Sequence, residues 1–288
     1  MEEKITSFIK DYLLKITNNN FSKKDIKKFI LPFLYIIFNN NFNKILISGS
    51  QGVGKTTYLK LIEIVGLKFF KKKVLNLSID DFYLDKNERI NLAAKIHPLL
   101  KTRGVPGTHD IKKLKSIIQQ FQNSQYPIST PLFNKLTDRK KKILKKHNKC
   151  DLLILEGWCA GCPRIPLNYL YKDINSIEKK YDKHKKWRKY YNNKLKTTYA
   201  DVFNLFDYKI FFKSSSFSNV LSWRIKQEKN QIKISKNKKN QGMSESEIKV
   251  FIKHYEKITK YMLKSMPLKA NLIIGIDQSH KIINIKRN

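Results

Sequence analysis

Apolar positions recur at two periods along this chain. In residues 2 to 17, Ile5, Phe8, Ile9, Tyr12, Leu13 and Ile16 fall at helical spacing, which predicts a helix ended by Asn18-Asn19-Asn20. A second helix is predicted over about 23 to 38, with Ser22 or Asp25 near its start and Asn39-Asn40-Asn41 after it. Short apolar runs then alternate with helical stretches. The runs 44 to 48, 74 to 79, 151 to 155, 208 to 212 and 272 to 276 read as strands; Leu152-Leu153-Ile154-Leu155 is near-continuous, as a central parallel strand requires. Helices are predicted at 58 to 65, 87 to 96 and 111 to 121, over much of 168 to 200, and behind Ser218. A further helix runs to Lys264 behind the capping box Ser244-Glu245-Ser246-Glu247. Residues 129 to 136 read as extended, 138 to 142 as a basic turn or hairpin, and the chain after 276 as an edge hairpin or tail. Strands alternating with helices predict an α/β fold, three layers with a mainly parallel sheet and an N-terminal helical cap.

One stretch in this pattern carries chemistry of its own. Ile45-Leu46-Ile47-Ser48 leads into Gly49-Ser50-Gln51-Gly52-Val53-Gly54-Lys55-Thr56-Thr57, and a helix follows. Gly49, Gly54, Lys55 and Thr56 fit G-x-x-x-x-G-K-[ST], the phosphate-binding (Walker A) loop. The glycines let backbone N–H groups turn inward around phosphate oxygens, and the helix adds the positive end of its dipole. Lys55 is expected at the β- and γ-phosphates and the Thr56 hydroxyl on Mg²⁺. The strand before and the helix after separate this motif from a chance glycine-rich turn.

Other polar groups gather at strand ends. Asp80-Asp81-Phe82-Tyr83 closes the second strand, where open α/β sheets place ligands. Lys101 to Asp110 is an irregular loop with two glycines and a proline; Arg103, His109 and Asp110 are its candidate acceptor contacts, and Asp110 is equally placed to cap the next helix. Glu156 ends the strand at 151 to 155, as a metal-proximal carboxylate does in phosphate-loop enzymes. Trp158-Cys159-x-x-Cys162 superficially matches a redox motif, but the phosphate loop already accounts for the fold, and no second Cys/His pair stands nearby to complete a zinc site.

Composition changes this picture little. The 288 residues carry 59 Lys+Arg against 23 Asp+Glu, a net charge of +36. The excess is spread along the chain, so a solvated basic surface is expected, able to attract anions and to bind nucleic acid weakly and without specificity. The basic-aromatic stretch 179 to 191 fits single-stranded nucleic acid or a helix covering the sheet; Leu195, Tyr199, Phe203 and Phe206 continue its apolar pattern and favour the second. Met1-Glu2-Glu3-Lys4 does not read as a signal peptide, no apolar run approaches the ~20 residues of a membrane span, and three cysteines suit a reducing cytoplasm, so a cytoplasmic protein is expected.

Together these motifs resemble the phosphate-loop kinases that include uridine kinase, phosphoribulokinase and bacterial pantothenate kinase. Within them the chain is most similar to the glycerate kinase family. The resemblance runs from about 44 to 276. It rests on Gly49 to Thr57, Ser78 to Leu84, Arg103-Gly104 with Thr108-His109-Asp110, Glu156-Gly157-Trp158 with Gly161, Trp187-Arg188, Trp223-Arg224 with Gln227-Glu228, and Gly242-Met243-Ser244. It implies a D-glycerate 3-kinase that uses ATP and Mg²⁺, with a small-molecule acceptor and no membrane. Asp80 matches the carboxylate that acts near the acceptor hydroxyl, with Asp81 beside it; Glu156 matches the acidic strand end and Arg224 the lid-side arginine. Arg103, Tyr83 or His109 is available for the acceptor's carboxylate, Arg103 having the matching planar fork. The implied organisation is an N-terminal helical extension, 1–43, and a kinase domain, 44–288, with a basic helical segment near 168–200 and a basic lid near 224–243. Cys159 and Cys162 depart from the plant pattern and leave the acceptor open: a nucleoside or a pantothenate-like compound is the alternative, and a nucleic-acid-binding ATPase the more distant one.

Overall fold

The computed structural model describes residues 1–234 and 243–288, with side chains at all of these except 227 and 229–234. Six strands form the central sheet, in the order β10-β9-β8-β1-β7-β2. They are β1 (Lys44–Gly49), β2 (Val74–Ser78), β7 (Leu152–Gly157), β8 (Tyr208–Ser214), β9 (Leu272–Ile276) and β10 (Ile282–Arg287). All neighbours are parallel except β10, which returns antiparallel to β9 as an edge hairpin. Two short hairpin pairs stand apart, β3 (Ile128–Thr130) with β6 (Lys145–His147) and β4 (Phe133–Asn134) with β5 (Arg139–Lys140). Of the basic turn or hairpin expected at 138 to 142, the hairpin forms, with Arg139–Lys140 as its return strand.

Alternate residues of each central strand enter different cores, because side chains alternate across a pleated strand. Ile45, Ile47, Ile154, Ile210 and Phe212 face one side, where helices α1 (Glu2–Thr17), α2 (Lys23–Asp25, a π turn at Ile26–Ile30, then Leu31–Phe38) and α3 (Lys55–Val65) cover them. Leu46, Leu153, Leu155 and Phe211 face the other. Around that second core lie α4 (Lys86–Lys95), α5 (Ile111–Gln122), α6 (Leu167–Tyr171), α7 (Ser176–Tyr181) and α8 (Lys186–Lys194, continuing through Leu195–Tyr199 to Ala200–Phe203), with α10 (Glu245–Ser265). A sheet apolar on both faces needs helices on both, and the result is the three-layer α/β architecture expected. Local signals set the helix starts: Ser22 accepts the Asp25 N–H at 3.0 Å, and Ser244 with Glu247 closes the capping box of α10. The expected lid falls partly on α9 (Ser218–Ile234); its residues 235–242 lie outside the described residues.

The basic-aromatic segment serves as cover. Trp187, Tyr191, Leu195, Tyr199 and Phe203 are buried in the second core, so these rings are not free to stack on bases. What pins the segment is a buried ionic cluster. Arg188, fully buried, meets Asp173 at 2.7 Å, Asp182 at 2.8 Å and Glu178 at 3.4 Å, and Lys257 of α10 meets Glu178 at 3.3 Å. Removing one member of such a cluster strands the rest in a low-dielectric interior. Arg188→Ala is expected to cost about 3–5 kcal/mol in urea denaturation. A loss below about 1 kcal/mol would show that the carboxylates find water or other partners.

Candidate active site

The phosphate loop spans the end of β1 and the start of α3. Gly49 leaves the strand at φ 153°, and a Cβ there would lie 2.6 Å from the Phe212 carbonyl oxygen and 2.9 Å from the Phe212 Cβ. Only glycine fits between β1 and β8 at that point. Lys55 is buried beneath the loop, its ammonium donating to the carbonyls of Gly49 at 2.8 Å and Ser50 at 3.0 Å. Burial lowers its pKa, and the carboxylates of Glu156 and Asp80 oppose that. Thr56 is exposed on the first turn of α3, where backbone amides have no carbonyl a turn behind them. Ser50 Oγ lies 3.2 Å from Ser214 Oγ of β8. The loop is buttressed from the β9–β10 turn, where His280 pairs with the Gly52 carbonyl at 2.6 Å and packs against Trp223 of α9.

The acidic groups stand beside it. β2 ends one residue earlier than expected, at Ser78, because Ile79–Phe82 winds into a 3-10 turn. Ser78 and Glu156 are paired residues of β2 and β7, and the Ser78 hydroxyl donates to Glu156 Oε1 at 2.6 Å. Asp80 accepts the Tyr83 hydroxyl at 2.8 Å on one oxygen and the Lys135 ammonium at 2.5 Å on the other. Burial alone would raise the Asp80 pKa, but Lys135 and Tyr83 overcome it and hold this carboxyl far below the usual range. Asp81 turns the other way: its Oδ1 accepts the Phe133 N–H at 3.0 Å, and burial raises its pKa. It anchors the β4–β5 hairpin beneath the site.

The loop at 101–110 is knitted to this turn. Leu84 N–H donates to the Thr108 carbonyl at 2.9 Å and Asp110 N–H to the Phe82 carbonyl at 2.7 Å, with a bridge between Tyr83 and His109. The Tyr83 and His109 rings stack at 4.5 Å. Gly104 lets the loop pass α10, since a Cβ there would strike the Tyr255 ring at 2.3 Å. His109 is buried, with Nδ1 2.6 Å from the Tyr199 hydroxyl, and burial pushes its pKa down from 6.5 to about 4. It is neutral near pH 7.

Two expected acceptor contacts are structural. Asp110 caps α5, its Oδ1 accepting the Lys113 N–H at 2.9 Å. The Arg103 guanidinium is committed to the β4–β5 hairpin, 2.5 Å from Asp138 and 3.1 Å from the Lys135 carbonyl oxygen; Arg89 holds the other Asp138 oxygen at 2.5 Å. Arg224, on α9, pairs with Glu228 at 2.6 Å. Cys159 and Cys162 are buried, and burial raises both thiol pKa values, the reverse of a reactive redox pair. The cysteines are free, and no cluster of three or more His, Cys, Asp or Glu fit for a metal occurs among the described residues.

No protein-family model matches the sequence. Individual proteins do. The chain is 28% identical over 237 residues to an uncharacterized kinase, mug58, of Schizosaccharomyces pombe, covering 78% of this chain and 83% of that one. It is 29% identical over 277 residues to a probable ATP-dependent kinase, TDA10, of Saccharomyces cerevisiae, covering 84% and 87%. To the chloroplastic D-glycerate 3-kinase of Arabidopsis thaliana it is 26% identical over 222 residues, 72% of this chain and 45% of that protein. The solved structure of the YGR205w protein superposes with a TM-score of 0.69 at 25% identity, covering 96% of this chain and 97% of that one. In sequence and fold the chain is thus similar to kinases of the phosphate-loop group. A D-glycerate 3-kinase from Cryptococcus neoformans, at 18% identity, shares the fold with a TM-score of 0.70 over 100% of this chain and 99% of its own.

Lys135, Tyr199, Asp138 and His280 escape a reading of the sequence alone. Lys135 is one basic residue among 59 Lys+Arg, and only the hairpin brings it to Asp80. Burial of neutral His109 also makes stability depend on pH. The unfolded chain binds this proton near the ordinary 6.5 and the folded one only near 4. The contribution is therefore whole above the unfolded value and lost as pH falls towards the folded one, at up to about 1.4 kcal/mol per pH unit. Urea denaturation at about pH 7 and about pH 5 is expected to show that drop, with a smaller one in His109→Gln. Equal drops in both proteins would contradict it.

Proposed function

We propose that the protein transfers the γ-phosphoryl group of ATP to a hydroxyl of a small hydroxy acid, with D-glycerate, giving 3-phosphoglycerate, the foremost acceptor. The observation that carries this is Asp80. It stands at the carboxyl end of β2, ionised, within the electrostatic field of Lys55 of the phosphate loop. A phosphate loop alone serves hydrolysis as well as transfer. A carboxylate held anionic beside it, on a turn knitted to a second polar loop, suits the orientation of an alcohol. The D-glycerate 3-kinase among the relatives supports the acceptor.

The roles follow from the residue types. Phosphoryl transfer needs positioning and charge neutralisation more than covalent help. The amides of Gly49 to Thr57 and the Lys55 ammonium hold the β- and γ-phosphates. Asp80 orients the acceptor hydroxyl and takes its proton as the oxygen attacks phosphorus. Arg224 faces the charge on the transferred group. Tyr83 and His109 form the wall of the acceptor site, with Asp81 fixing the hairpin behind it. The oxygen donors at this end, the Thr56 hydroxyl and the Glu156 carboxylate, are the hard ligands that suit Mg²⁺. When bound, that ion neutralises phosphate charge. No helix is long and apolar enough to cross a membrane among the described residues; we place the enzyme in the cytoplasm.

Turnover measured on a panel of glycerate, uridine and pantothenate with ATP tests the acceptor. Glycerate is expected to lead, and a nucleoside leading would reverse the assignment. Lys55→Ala and Asp80→Asn are each expected to retain the fold, and Asp80→Asn to lose about 10²- to 10⁴-fold in kcat. An Asp80→Asn enzyme with unchanged kcat would remove Asp80 from the chemistry.

A further inference from the structure

The Asp80 carboxylate has both oxygens engaged, one by the Tyr83 hydroxyl and one by the Lys135 ammonium. An acceptor hydroxyl needs one of them. The two partners differ in what holds them. Tyr83 is buried and stacked on His109. The Lys135 side chain is 55% exposed, a compact charge on a flexible four-carbon stem. Its backbone, by contrast, is clamped. The Lys135 carbonyl accepts from Arg103, Asp138 is clasped between Arg103 and Arg89, and Phe133 two residues before is tied to Asp81. The hairpin thus presents a movable ammonium from a fixed base at the mouth of the acceptor site. Among the described residues the other cations nearby are committed elsewhere: Arg103 builds the hairpin, Arg224 pairs with Glu228, His109 is neutral near pH 7, and Lys55 sits under the phosphate loop.

We infer that Lys135 binds the carboxylate of the acceptor and in doing so uncovers Asp80. The acceptor anion draws the ammonium off Asp80 Oδ2, and that oxygen becomes free for the acceptor hydroxyl. The hydroxyl oxygen then forms its bond to the γ-phosphorus while the bond from that phosphorus to the β–γ bridging oxygen breaks. ADP leaves, and the hydroxyl proton passes to Asp80 and on to solvent. Without the ammonium between them, the two carboxylates would repel each other. With it, an acidic acceptor arms the carboxylate that an uncharged one leaves covered. Selectivity for acids is thereby built into the activation of the base. This rests on the hydroxy-acid function proposed above.

Steady-state turnover of the full chain with ATP separates the possibilities. The acceptors are D-glycerate and its uncharged counterpart glyceramide; the proteins are wild type, Lys135→Met and Lys135→Arg. Lys135→Met is expected to lose about 10- to 100-fold in kcat/KM for glycerate, chiefly through KM, and to keep or gain activity on glyceramide, because Asp80 is then uncovered. The preference for the acid collapses, while Lys135→Arg keeps it. An unchanged KM for ATP shows that the variants are folded. Equal losses on both acceptors, or an unchanged KM for glycerate in Lys135→Met, would overturn the role of Lys135 and leave the hydroxy-acid function standing. A wild type that turns over only uncharged acceptors would overturn that function and this inference together.

Discussion

An ionised carboxylate at the inner end of a buried strand is costly unless every lone pair it presents is compensated. Asp80 is such a group, and much of the surrounding structure is organised around compensating it. The Tyr83 hydroxyl serves one oxygen because Ile79–Phe82 winds as a 3-10 turn and sends residues 80 and 83 to the same side. Lys135 serves the other because a hairpin returns to the site, and that hairpin is held by Asp81 at one end and by the Arg89–Asp138–Arg103 clasp at the other. Asp81 and Arg103, which resemble ligand contacts, thus act with Arg89 and Asp138 as scaffold for Lys135.

The phosphate side is built on the sheet itself. β1 lies between β7 and β8, so the loop that leaves it is flanked by Glu156 of one neighbour and Ser214 of the other. Close approach of Gly49 to Phe212 fixes the exit of the loop, and His280 and Trp223 brace its outer turn. The two halves meet electrostatically. Asp80 and Glu156 raise the pKa of Lys55 against the effect of burial, and Lys135 pushes from the far side. A site with lysines on two walls and carboxylates between them attracts anions on both; under the proposed function these are a nucleotide on one and an acid on the other.

Local signals explain what could be read from the chain and contacts across the fold explain what could not. The phosphate loop was legible because its glycines, lysine and threonine act within nine residues, and the strands because their apolar runs are continuous. Caps at Ser22, Asp110 and Ser244 declare themselves within three residues. Asp110 read equally well as a cap and as a ligand, and only its Lys113 contact separates the two. Arg103 read as a fork for a carboxylate, and it is one, but the carboxylate belongs to Asp138, 35 residues along. His109 is set by a tyrosine 90 residues away, and Asp80 by a lysine 55 away. No periodicity carries such pairings. The extreme basic charge hid Lys135 further, since one lysine in so basic a chain has no distinguishing mark.

That pairing is also where the account is most exposed. A crystal structure of the full chain with a non-hydrolysable ATP analogue, Mg²⁺ and D-glycerate tests it most directly. The account predicts the glycerate hydroxyl at about 2.6–3.2 Å from an Asp80 carboxylate oxygen, aimed at the γ-phosphorus above Lys55, with the glycerate carboxylate on the Lys135 ammonium. An acceptor bound with its hydroxyl away from Asp80, and the Asp80–Lys135 pair still closed, would contradict it.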